Sequence, residues 1–419
     1  MTEGVTDILV VGGGASGLMA AIASARQGCR VVVAERLPRV AQKLLATGNG
    51  RCNLSNTDMS LRHYRGEEAW LSQVFGQMGA QETLGLFESM GLVTAADPDG
   101  RVFPLTRQSA TVVDILRAEC RHLGVEEKTG FEAAGISQEA GGFLVRSTGG
   151  GLIKACCVVL CTGGRAGPGS EGSGYRLARM LGHRINPLFP CLVQIRLNLP
   201  GIQSLKGIRM QASVSLIRGD APFRTEEGEI LWTEDGLSGI PILNLSRWIQ
   251  DTARSGRKTA LRLDLFPDFS PGRLHALLDG RSKNLGYRTA GESLIGLIHK
   301  RLIPFILDRT RMNPETHVSR AGRAWTDRLA ESLKMWDLVI SGTRSWTEAQ
   351  VTAGGVDTGE VDPRTMESLK TPGFYLAGEL LDVDGECGGY NLQWAWTSGW
   401  IAGHHAGLRT CQQKTASRH

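Results

Sequence analysis

The stretch Ile8-Leu9-Val10-Val11-Gly12-Gly13-Gly14-Ala15-Ser16-Gly17 decides the fold of this 419-residue chain. Its four apolar residues predict a buried strand, and the glycine-rich turn opens a run of small residues that predicts a helix. A second apolar run, Val31-Val32-Val33, ends shortly before Glu35. This order of strand, turn, helix, strand and acid is that of the dinucleotide-binding unit of the Rossmann fold. A glycine pattern without these neighbours would not indicate such a unit. The chain is therefore predicted to bind an adenine dinucleotide.

Within this unit the three motif glycines have different predicted roles. Gly12 permits the tight turn out of the strand, Gly14 lets the backbone approach a pyrophosphate, and Gly17 lets the helix lie close to the sheet. The first helical turn begins with Ala15 and Ser16, and it offers free N–H groups and the positive end of a helix dipole to phosphates. These five residues are predicted to bind the ADP half of the cofactor.

An acid and a second glycine-rich turn complete the predicted ADP site. Glu35 lies eighteen residues beyond Gly17, where a carboxylate can accept hydrogen bonds from the ribose hydroxyls. Another apolar strand, Cys157-Val158-Val159-Leu160-Cys161, leads into a turn that is typical of the nucleotide half of flavoproteins. The further residues predicted to bind cofactor here are Arg36, Phe131, Thr162, Gly163 and Gly164.

Two other segments decide between FAD and NAD. Lys43 to Asn53 mixes glycine, amide and cationic side chains, so it is predicted to be a loop of close backbone approach. Near the other end of the chain, the apolar strand Phe374–Leu376 leads to a glycine and an acid, and Asp382–Gln393 leads into a helix. A ligand bound by both ends of the chain is long, which favours FAD. The residues predicted for the flavin half are Lys43, Gly48, Asn49, Gly50, Arg51, Cys52, Asn53, Gly378, Glu379, Gly385, Gly388, Gly389, Tyr390, Asn391 and Leu392.

Four segments resemble a bacterial family of flavoproteins. Lys43 to Asn53, Gly163 to His183, Gly228 to Ser246 and Gly354 to Gly403 are similar to the aminoacetone-oxidase-like or BaiN-like FAD-dependent oxidoreductases. The GNGRCN and GGYNLQWAW stretches are specific to that family, and the similarity runs over nearly the whole chain. The resemblance implies non-covalent FAD and a two-part FAD domain with an insertion. It also implies a reaction class that includes amine oxidation by oxygen and enone reduction in bile acids.

The predicted fold is α/β, with a two-part Rossmann-like FAD-binding domain that an inserted β-barrel-like and helical domain interrupts. The expected boundaries are 1–187 for the first part, 188–346 for the insert and 347–419 for the second part. Within the insert, alternating apolar residues predict strands over 188–265, and helical spacing predicts helices over 270–337. A chain of this length is expected to form two or three domains.

Composition argues against several other classes of protein. The net charge of +5, from 47 Lys or Arg and 42 Asp or Glu, contains no block of consecutive cations and gives no case for nucleic acid. A basic surface could still attract anionic substrates. Glu3 and Asp7 argue against a signal peptide, and no apolar segment is long enough to span a membrane. We therefore expect a cytoplasmic protein with a small-molecule substrate and no membrane partner, and its oligomeric state stays open.

The nine cysteines do not indicate a disulfide framework or a metal site. Their number is odd and they form no CxxC pair. Cys52 and Cys387 lie in the predicted flavin loops, which leaves a redox-active pair as a hypothesis. Flavin disulfide reductases use closely spaced cysteines, however, so two ordinary loop residues are the favoured interpretation.

A second GxGxxG pattern, Gly167 to Gly172, offers an alternative NAD(P) site. Pro168 removes a backbone donor that phosphates need, and Leu181 to Leu192 contains no carboxylate for a ribose. The favoured interpretation places this stretch in the FAD domain. NAD(P)H would then act as a transient donor that docks against the flavin, whereas oxidation by oxygen needs no such site.

Small residues recur every four positions on the predicted first and last helices. Side chains at this spacing lie on one helix face, where they form a flat groove that lets two backbones approach closely. We therefore expect these helices to be neighbours, which brings the two glycine-rich turns onto one FAD. The residues concerned are Gly17, Ala21 and Ala25 on the first helix, and Ala395, Gly399, Gly403 and Gly407 on the last.

Three residues are candidates for catalysis. Many members of the resembling family have a His where this chain has Glu234, which would need a pKa raised by burial to transfer protons near neutral pH. Tyr390 is a candidate proton donor, and Arg51 could stabilise negative charge on the reduced flavin. Packing by Tyr390 and loop stabilisation by Arg51 are equally compatible with the sequence.

The sequence thus predicts an FAD-dependent oxidoreductase that transfers a hydride between flavin N5 and a small organic substrate. The reaction is amine oxidation or enone reduction, and an NAD(P)H-dependent enone reductase is one alternative. A protein that binds FAD as a structural or sensing group is the alternative from a different class.

Overall fold

A computed structural model describes residues 5–167, 170–219, 221–254 and 259–416. Pro168 and Gly169 of the second GxGxxG pattern lie outside the described residues. The chain divides into two compact units. Unit 1 comprises Met1–Pro190 and Val351–His419, and unit 2 comprises Cys191–Gln350.

The described residues form both α-helices and short 3-10 helices. In chain order the α-helices are α1 (Ala15–Ala25), α2 (Gln42–Ala46), α3 (Glu68–Phe75), α4 (Ala80–Ser89), α5 (Ser109–His122), α6 (Ser173–Met180), α7 (Ile240–Arg254), α8 (Pro271–Asn284), α9 (Ala290–Ser293), α10 (Ile303–Thr310), α11 (Arg323–Lys334) and α12 (Tyr390–Ala416). Short 3-10 helices cover Thr47–Gly50, Leu61–His63, Ile202–Leu205, Lys300–Leu302, Val318–Arg320, Thr358–Glu360 and Gly378–Leu380.

The strands are distributed over both units. In chain order they are β1 (Thr6–Val11), β2 (Val31–Glu35), β3 (Ser55–Asn56), β4 (Tyr64–Arg65), β5 (Thr94–Ala96), β6 (Arg101–Pro104), β7 (Glu126–Thr129), β8 (Ala133–Glu139), β9 (Gly142–Ser147), β10 (Leu152–Leu160), β11 (Phe189–Cys191), β12 (Ile195–Leu197), β13 (Arg209–Arg218), β14 (Ala221–Trp232), β15 (Gly236–Ser238), β16 (Thr259–Asp264), β17 (Trp336–Thr343), β18 (Val351–Ala353), β19 (Phe374–Leu376) and β20 (Asp384–Gly385).

Unit 1 is built on a mixed sheet with the order β7-β2-β1-β10-β9-β8, and β19 also pairs with β10. The strands β7, β2, β1, β10 and β19 are parallel, whereas β8 and β9 form an antiparallel edge. Every residue of β1 is buried, as expected for a continuous apolar run in a strand that is covered on both faces. The predicted Rossmann-type α/β fold is confirmed.

Unit 2 contains a closed six-stranded barrel with the order β12-β15-β14-β13-β16-β17. The helices α8 to α11 lie in the chain between β16 and β17, so the last barrel strand follows the helical segment. Trp232 and Trp336 are fully buried in the core of this unit, with ring centroids 5.6 Å apart. The predicted combination of a barrel and helices is confirmed.

The first and last helices, α1 and α12, pack closely against each other, as their small-residue pattern predicts. A Cβ at Gly399 would lie 2.3 Å from the Ser16 carbonyl oxygen, and one at Gly403 would lie 2.1 Å from the Ala20 carbonyl oxygen. The Ser24 hydroxyl donates a hydrogen bond of 2.8 Å to the Gly403 carbonyl. Side chains larger than hydrogen therefore do not fit at these two glycines.

We predict that Gly403→Leu lowers the free energy of unfolding by about 3 kcal/mol, because the new side chain must push α12 away from Ala20. The same displacement moves the start of α1, so the variant should also lose FAD during purification. Urea unfolding and the ratio of flavin to protein absorbance measure the two effects. Gln412→Leu, at an exposed position of α12, is the control. A variant with normal stability and flavin content would contradict the prediction.

Candidate functional site

The turn from β1 into α1 assigns different roles to its three glycines. Gly12 has a φ of +103°, and a Cβ there would lie 2.5 Å from the Cys161 carbonyl oxygen. A Cβ at Gly17 would lie 1.8 Å from the Gly12 carbonyl oxygen. At Gly14, by contrast, a Cβ would meet no atom within 4 Å. Gly12 and Gly17 thus permit packing within the protein, whereas Gly14 borders open space.

The beginning of α1 can bind an anion at this open space. Gly14 is the N-cap residue, and no side chain caps the helix or places an acid in its first turn. The first helical hydrogen bond runs from the Leu18 N–H to the Gly14 carbonyl, at 2.9 Å. The N–H groups of Ala15, Ser16 and Gly17 precede it and have no acceptor within the helix. They are available to a phosphate.

Glu35 stabilises the glycine-rich turn from the end of β2. Its carboxylate is buried; Oε2 accepts a hydrogen bond from the Gly13 N–H and Oε1 accepts one from the Leu37 N–H, each at 2.8 Å. A carboxylate can accept about four hydrogen bonds in all. Glu35 therefore positions the turn and retains acceptor capacity for ribose hydroxyls.

A cleft beside the turn brings together five of the predicted cofactor residues. It encloses about 370 Å³ of empty space, counting its open mouth, and Val11, Ala34 and Leu177 contribute to its walls. The predicted residues that line it are Gly12, Glu35, Arg36, Phe131 and Thr162. The cleft lies at the carboxyl ends of parallel strands, where nucleotides bind in open α/β sheets.

The segment after Glu35 is only partly the loop that the sequence predicts. Lys43 lies in the short helix α2, because Gln42–Ala46 consists of strong helix-forming residues. The remainder is a tight turn in which Gly48, Asn49 and Gly50 have φ values of +57°, +54° and +81°. Cys52 follows with a φ of +56°. Successive backbone N–H groups in such conformations form a concave surface that suits an anion.

Lys43 and Glu379 form an ion pair that connects the two ends of unit 1. The Lys43 ammonium lies 2.6 Å from Glu379 Oε2, and Glu379 Oε1 accepts a hydrogen bond from the Thr352 N–H at 2.8 Å. A Cβ at Gly164 would lie 2.5 Å from Glu379 Oε1, and one at Gly378 would lie 2.5 Å from the Ser16 hydroxyl. The structure thus brings the predicted C-terminal residues to the start of α1.

The turn before α12 lies against the segment that follows the GNGRCN sequence. A Cβ at Gly389 would lie 2.4 Å from the Ser55 carbonyl oxygen and 2.9 Å from Asn53 Oδ1. The Asn391 amide closes the turn, accepting from the Gly385 N–H at 2.8 Å and donating to the Gly385 carbonyl at 2.7 Å. The predicted residues Gly388 and Leu392 flank this turn, and Leu392 packs partly buried against the core of unit 1.

Two predicted residues have structural surroundings rather than reactive ones. Arg51 is exposed, donates a hydrogen bond of 3.2 Å to the Gly48 carbonyl, and places its guanidinium 5.5 Å from the Phe103 ring centroid. Cys52 is fully buried, and burial raises the pKa of its thiol to about 12. Cys52 is therefore a neutral thiol at physiological pH, which does not support a redox pair with Cys387.

Tyr390, at the first position of α12, is a buried phenol with a raised pKa. The His63 ring stacks on it with centroids 4.5 Å apart and an interplanar angle of 16°, and the Tyr64 hydroxyl donates to its carbonyl at 2.9 Å. Burial, followed by the charges of Asp58 and Glu386, raises the pKa of Tyr390 to about 12. The phenol is thus protonated throughout the neutral range and can donate a proton.

A histidine between two carboxylates supports the Tyr390 ring, and sequence reasoning missed it. His63 Nδ1 lies 2.7 Å from Glu386 Oε2, and His63 Nε2 lies 3.3 Å from Asp58 Oδ2. These residues come from segments more than 300 positions apart, which pairing of β20 with β4 brings together. Spacing along the chain contains no signal for such a cluster.

Glu234 does not have the environment that its proposed catalytic role requires. It lies in unit 2 with a side chain that is 66% exposed, and its carboxylate pairs with the Lys206 ammonium at 3.1 Å. The hypothesis required a buried carboxylate, and this one is exposed. The predicted role of Glu234 as a proton-transfer group is therefore corrected to that of a surface ion pair.

The site residues fit FAD by an observation that is independent of the motifs. Thr162 Oγ1 and Asn53 Oδ1 are two of eight buried side-chain N or O atoms in the described residues that have no hydrogen-bond partner, and the other six lie outside the predicted cofactor residues. Buried polar atoms are nearly always paired, so two such atoms need an explanation. One lies in the predicted nucleotide half and the other in the predicted flavin half. A bound dinucleotide that spans the two halves can supply both missing partners.

Two absences concern the part of the chain that the structure describes. No group of three or more His, Cys, Asp or Glu residues there is arranged to hold a metal ion. Within the same residues, no helix has both the length and the apolar character needed to cross a membrane.

Comparison with known proteins gives a consistent result over the full length. The sequence matches the protein family described as "HI0933-like protein Rossmann domain" over residues 6–405. It is 38% identical over 405 residues to the 3-dehydro-bile acid delta(4,6)-reductase of Clostridium scindens, which covers 96% of this chain and 98% of that protein. It is 28% identical over 398 residues to the ribosomal RNA dihydrouridine synthase of Escherichia coli, which covers 94% and 96% respectively.

A solved structure has a similar fold. The 3-ketosteroid-delta4-(5alpha)-dehydrogenase of Rhodococcus jostii, in complex with 4-androstene-3,17-dione, has a TM-score of 0.50 and 15% sequence identity, and the match covers 96% of each chain. At this level of identity the similarity concerns the fold alone, and it agrees with the architecture described above.

The glycines of the turn yield a paired prediction. Gly14→Ala should change the free energy of unfolding of the FAD-free protein by less than about 0.5 kcal/mol, since its methyl group enters open space. The methyl group should nevertheless weaken FAD binding at least about tenfold by keeping the pyrophosphate from the backbone. Gly17→Ala should instead lower the free energy of unfolding by about 3 kcal/mol. Urea unfolding and FAD titration measure both quantities, and wild-type FAD affinity in Gly14→Ala would contradict the assignment.

Proposed function

The chain belongs to the HI0933-like Rossmann-domain family and is an FAD-dependent oxidoreductase, and from this premise we propose that it reduces a carbon–carbon double bond conjugated to a carbonyl group. The relative from Clostridium scindens, at 38% identity, bears the name of a reductase that acts on a 3-dehydro bile acid. This supports an α,β-unsaturated ketone of a small organic molecule as the substrate class. We also propose a cytoplasmic location, which the nine free cysteines support.

The observation that favours reduction over amine oxidation is the 38% identity to a protein that is named a reductase, and Tyr390 is the candidate proton donor. Adding hydrogen across a conjugated double bond places a hydride on the β-carbon and a proton on the α-carbon, so the protein must provide an acid. Amine oxidation instead requires a group that keeps the amine neutral by accepting a proton. Tyr390 is protonated near neutral pH, as an ordinary phenol also is, so it can provide this proton.

The residues of unit 1 have the following roles in this proposal. Bound FAD supplies hydride chemistry at its N5 atom. Gly14 and the first turn of α1 bind the pyrophosphate, and Glu35 accepts hydrogen bonds from the ribose. Tyr390 donates the proton to the α-carbon, and the His63 ring holds the phenol in position. We assign cofactor binding to unit 1.

The electrons come from NAD(P)H in this proposal. Each turnover consumes one hydride from the nicotinamide, and its oxidised form leaves before the unsaturated substrate binds. Transient binding of NAD(P)H is consistent with the sequence, which has a single complete dinucleotide-binding unit. Amine oxidation would instead require that oxygen reoxidise the reduced flavin, with peroxide as the product.

A second candidate substrate is a uracil base in RNA. The relative from Escherichia coli is named a ribosomal RNA dihydrouridine synthase, and the C5–C6 double bond of uracil is also conjugated to a carbonyl. The observation that favours this candidate is charge: residues 271–334 contain twelve Lys or Arg and six Asp or Glu. That segment alone accounts for more than the +5 of the whole chain.

We predict that the FAD-loaded protein oxidises NADPH or NADH anaerobically when a 3-oxo-4,6-diene steroid is added, with loss of the absorbance of the conjugated ketone. The amine arm uses aminoacetone in air with peroxide detection. Peroxide formation from the amine, together with an unchanged ketone spectrum, would contradict the proposal and favour oxidation.

Tyr390→Phe should lower the rate of ketone reduction about 100-fold, because it removes the proton donor and leaves the stacked ring in place. Reduction of the bound flavin by the nicotinamide needs no such proton and should keep its rate. Since the pKa is about 12 rather than the usual value near 10, the wild-type rate should not decline through loss of this proton between pH 7 and 10. Tyr375→Phe, which removes a hydroxyl that donates to the His405 carbonyl, is the matched control. Equal loss of both half-reactions in Tyr390→Phe would indicate a packing role.

A further inference from the structure

The excess positive charge of this protein is confined to the helical segment of unit 2. Residues 271–334 contain twelve cations and six carboxylates, so their net charge is +6, whereas the whole chain has a net charge of +5. The rest of the chain is therefore close to neutral. A whole-chain average hides this distribution, which is typical of a protein with a polyanionic partner.

All but one of the cations of this segment also lack a carboxylate partner, in contrast to the arginines of the barrel described next. In the barrel, Arg196 pairs with Asp235, Arg209 with Glu229, and Arg262 with Asp337, at 2.6 to 3.0 Å. Within residues 271–334, Lys334 pairs with Asp264 at 2.6 Å. Among the described residues, no carboxylate lies within salt-bridge distance of the other eleven cations. Their charge is available to a ligand.

Part of this charge surrounds an exposed aromatic ring. The segment after α8 and the 3-10 helix Val318–Arg320 are held together by hydrogen bonds from the Val318 N–H to the Arg288 carbonyl, at 2.9 Å, and from the Ser319 N–H to the Gly286 carbonyl, at 3.3 Å. We call the surface that they form the Tyr287 patch. It consists of Tyr287, Arg288 and His317, together with the exposed cations Lys283 and Arg320 that lie close to them along the chain.

The ring of Tyr287 is the centre of the patch. Its residue is 69% exposed, more than any other exposed large hydrophobic residue in the described chain. The Arg288 guanidinium lies 5.5 Å from the ring centroid and donates to the phenol oxygen at 3.2 Å, and His317 Nδ1 lies 3.1 Å from the Tyr287 carbonyl oxygen. The ring is therefore held in place and presented to solvent.

An acidic group close to Arg288 in the chain, Glu292, is already engaged. Glu292 accepts a hydrogen bond from the Thr289 N–H at 3.0 Å as part of a capping box. That hydrogen bond, with smaller effects from the charges of Arg288 and His317, lowers the pKa of Glu292. The patch itself contains three permanent cations and no carboxylate, so it carries a net positive charge.

We propose that the Tyr287 patch binds single-stranded RNA, with a base stacked on Tyr287 and with phosphates paired to Lys283, Arg288 and Arg320. An exposed aromatic face among unpaired cations is the combination that binds single-stranded nucleic acid, since each base offers a π-face and each linkage offers a negative charge. That this RNA is also a substrate, reduced at its uracil bases, rests on the proposed function. That the Tyr287 patch binds RNA does not rest on the proposed function.

Fluorescence anisotropy with a labelled twelve-nucleotide oligouridylate tests this proposal on the FAD-loaded protein. We expect saturable binding that weakens steeply with salt. Tyr287→Ala should weaken it about tenfold with the same salt dependence, through loss of stacking. Lys283→Gln and Arg320→Gln should each reduce the slope of log affinity against log salt by about one. Arg209→Gln, which removes a cation that is already paired with Glu229, is the matched control.

Three results would overturn the proposal: no binding at 50 mM salt, wild-type affinity in Tyr287→Ala, or equal affinity for a double-stranded RNA of the same length. Equal binding of heparin with no effect of Tyr287→Ala would indicate general polyanion attraction and would also overturn it. Because anisotropy needs no turnover, failure of ketone reduction with intact RNA binding would remove only the proposed function. Intact ketone reduction without RNA binding would remove only this inference.

Discussion

The structure depends on the close approach of α1 to backbone on two sides. On one side, Gly17 lies so near the Gly12 carbonyl that no Cβ fits between them; on the other, Gly399 and Gly403 let α12 contact the backbone of α1. The first contact sets the helix against the sheet, and the second brings the C-terminal turn beside the first helical turn. Residues from the two ends of the chain thus lie beside each other in unit 1.

Sequence reasoning succeeded where a residue's role follows from its immediate neighbours. The strand, the glycine spacing and the acid at Glu35 predict a Rossmann unit because each part acts within about thirty residues. It failed at Lys43, where local helix propensity outweighed the glycines that follow. It also missed His63 and its two carboxylates, because their proximity arises from pairing between β4 and β20, and distant pairing has no local pattern. Glu234 was chosen by family position, and its exposed ion pair became evident only in the folded barrel.

Ionisable groups differ between the two units: Cys52 and Tyr390 of unit 1 are buried and neutral, and the unpaired cations of unit 2 lie at the surface. In unit 1, burial raises the pKa values of the Cys52 thiol and the Tyr390 phenol, so both groups are neutral near pH 7 and the phenol is available for its proposed role as a proton donor. In unit 2, the unpaired cations of residues 271–334 lie on a surface where water screens them. A hydride reaction needs the first environment, and a polyanionic partner needs the second.

The most direct test of the central claim is the anaerobic visible absorption spectrum of the purified protein during stepwise addition of NADPH and then of an unsaturated ketone. The account predicts the bands of oxidised flavin, their bleaching by the nicotinamide, and their return when the ketone is added without oxygen. A protein that is colourless and cannot be reconstituted with FAD would contradict the account at its first step. Flavin bands that NADPH and NADH both leave unchanged, or bleached bands that return only with oxygen, would contradict the assignment as a reductase.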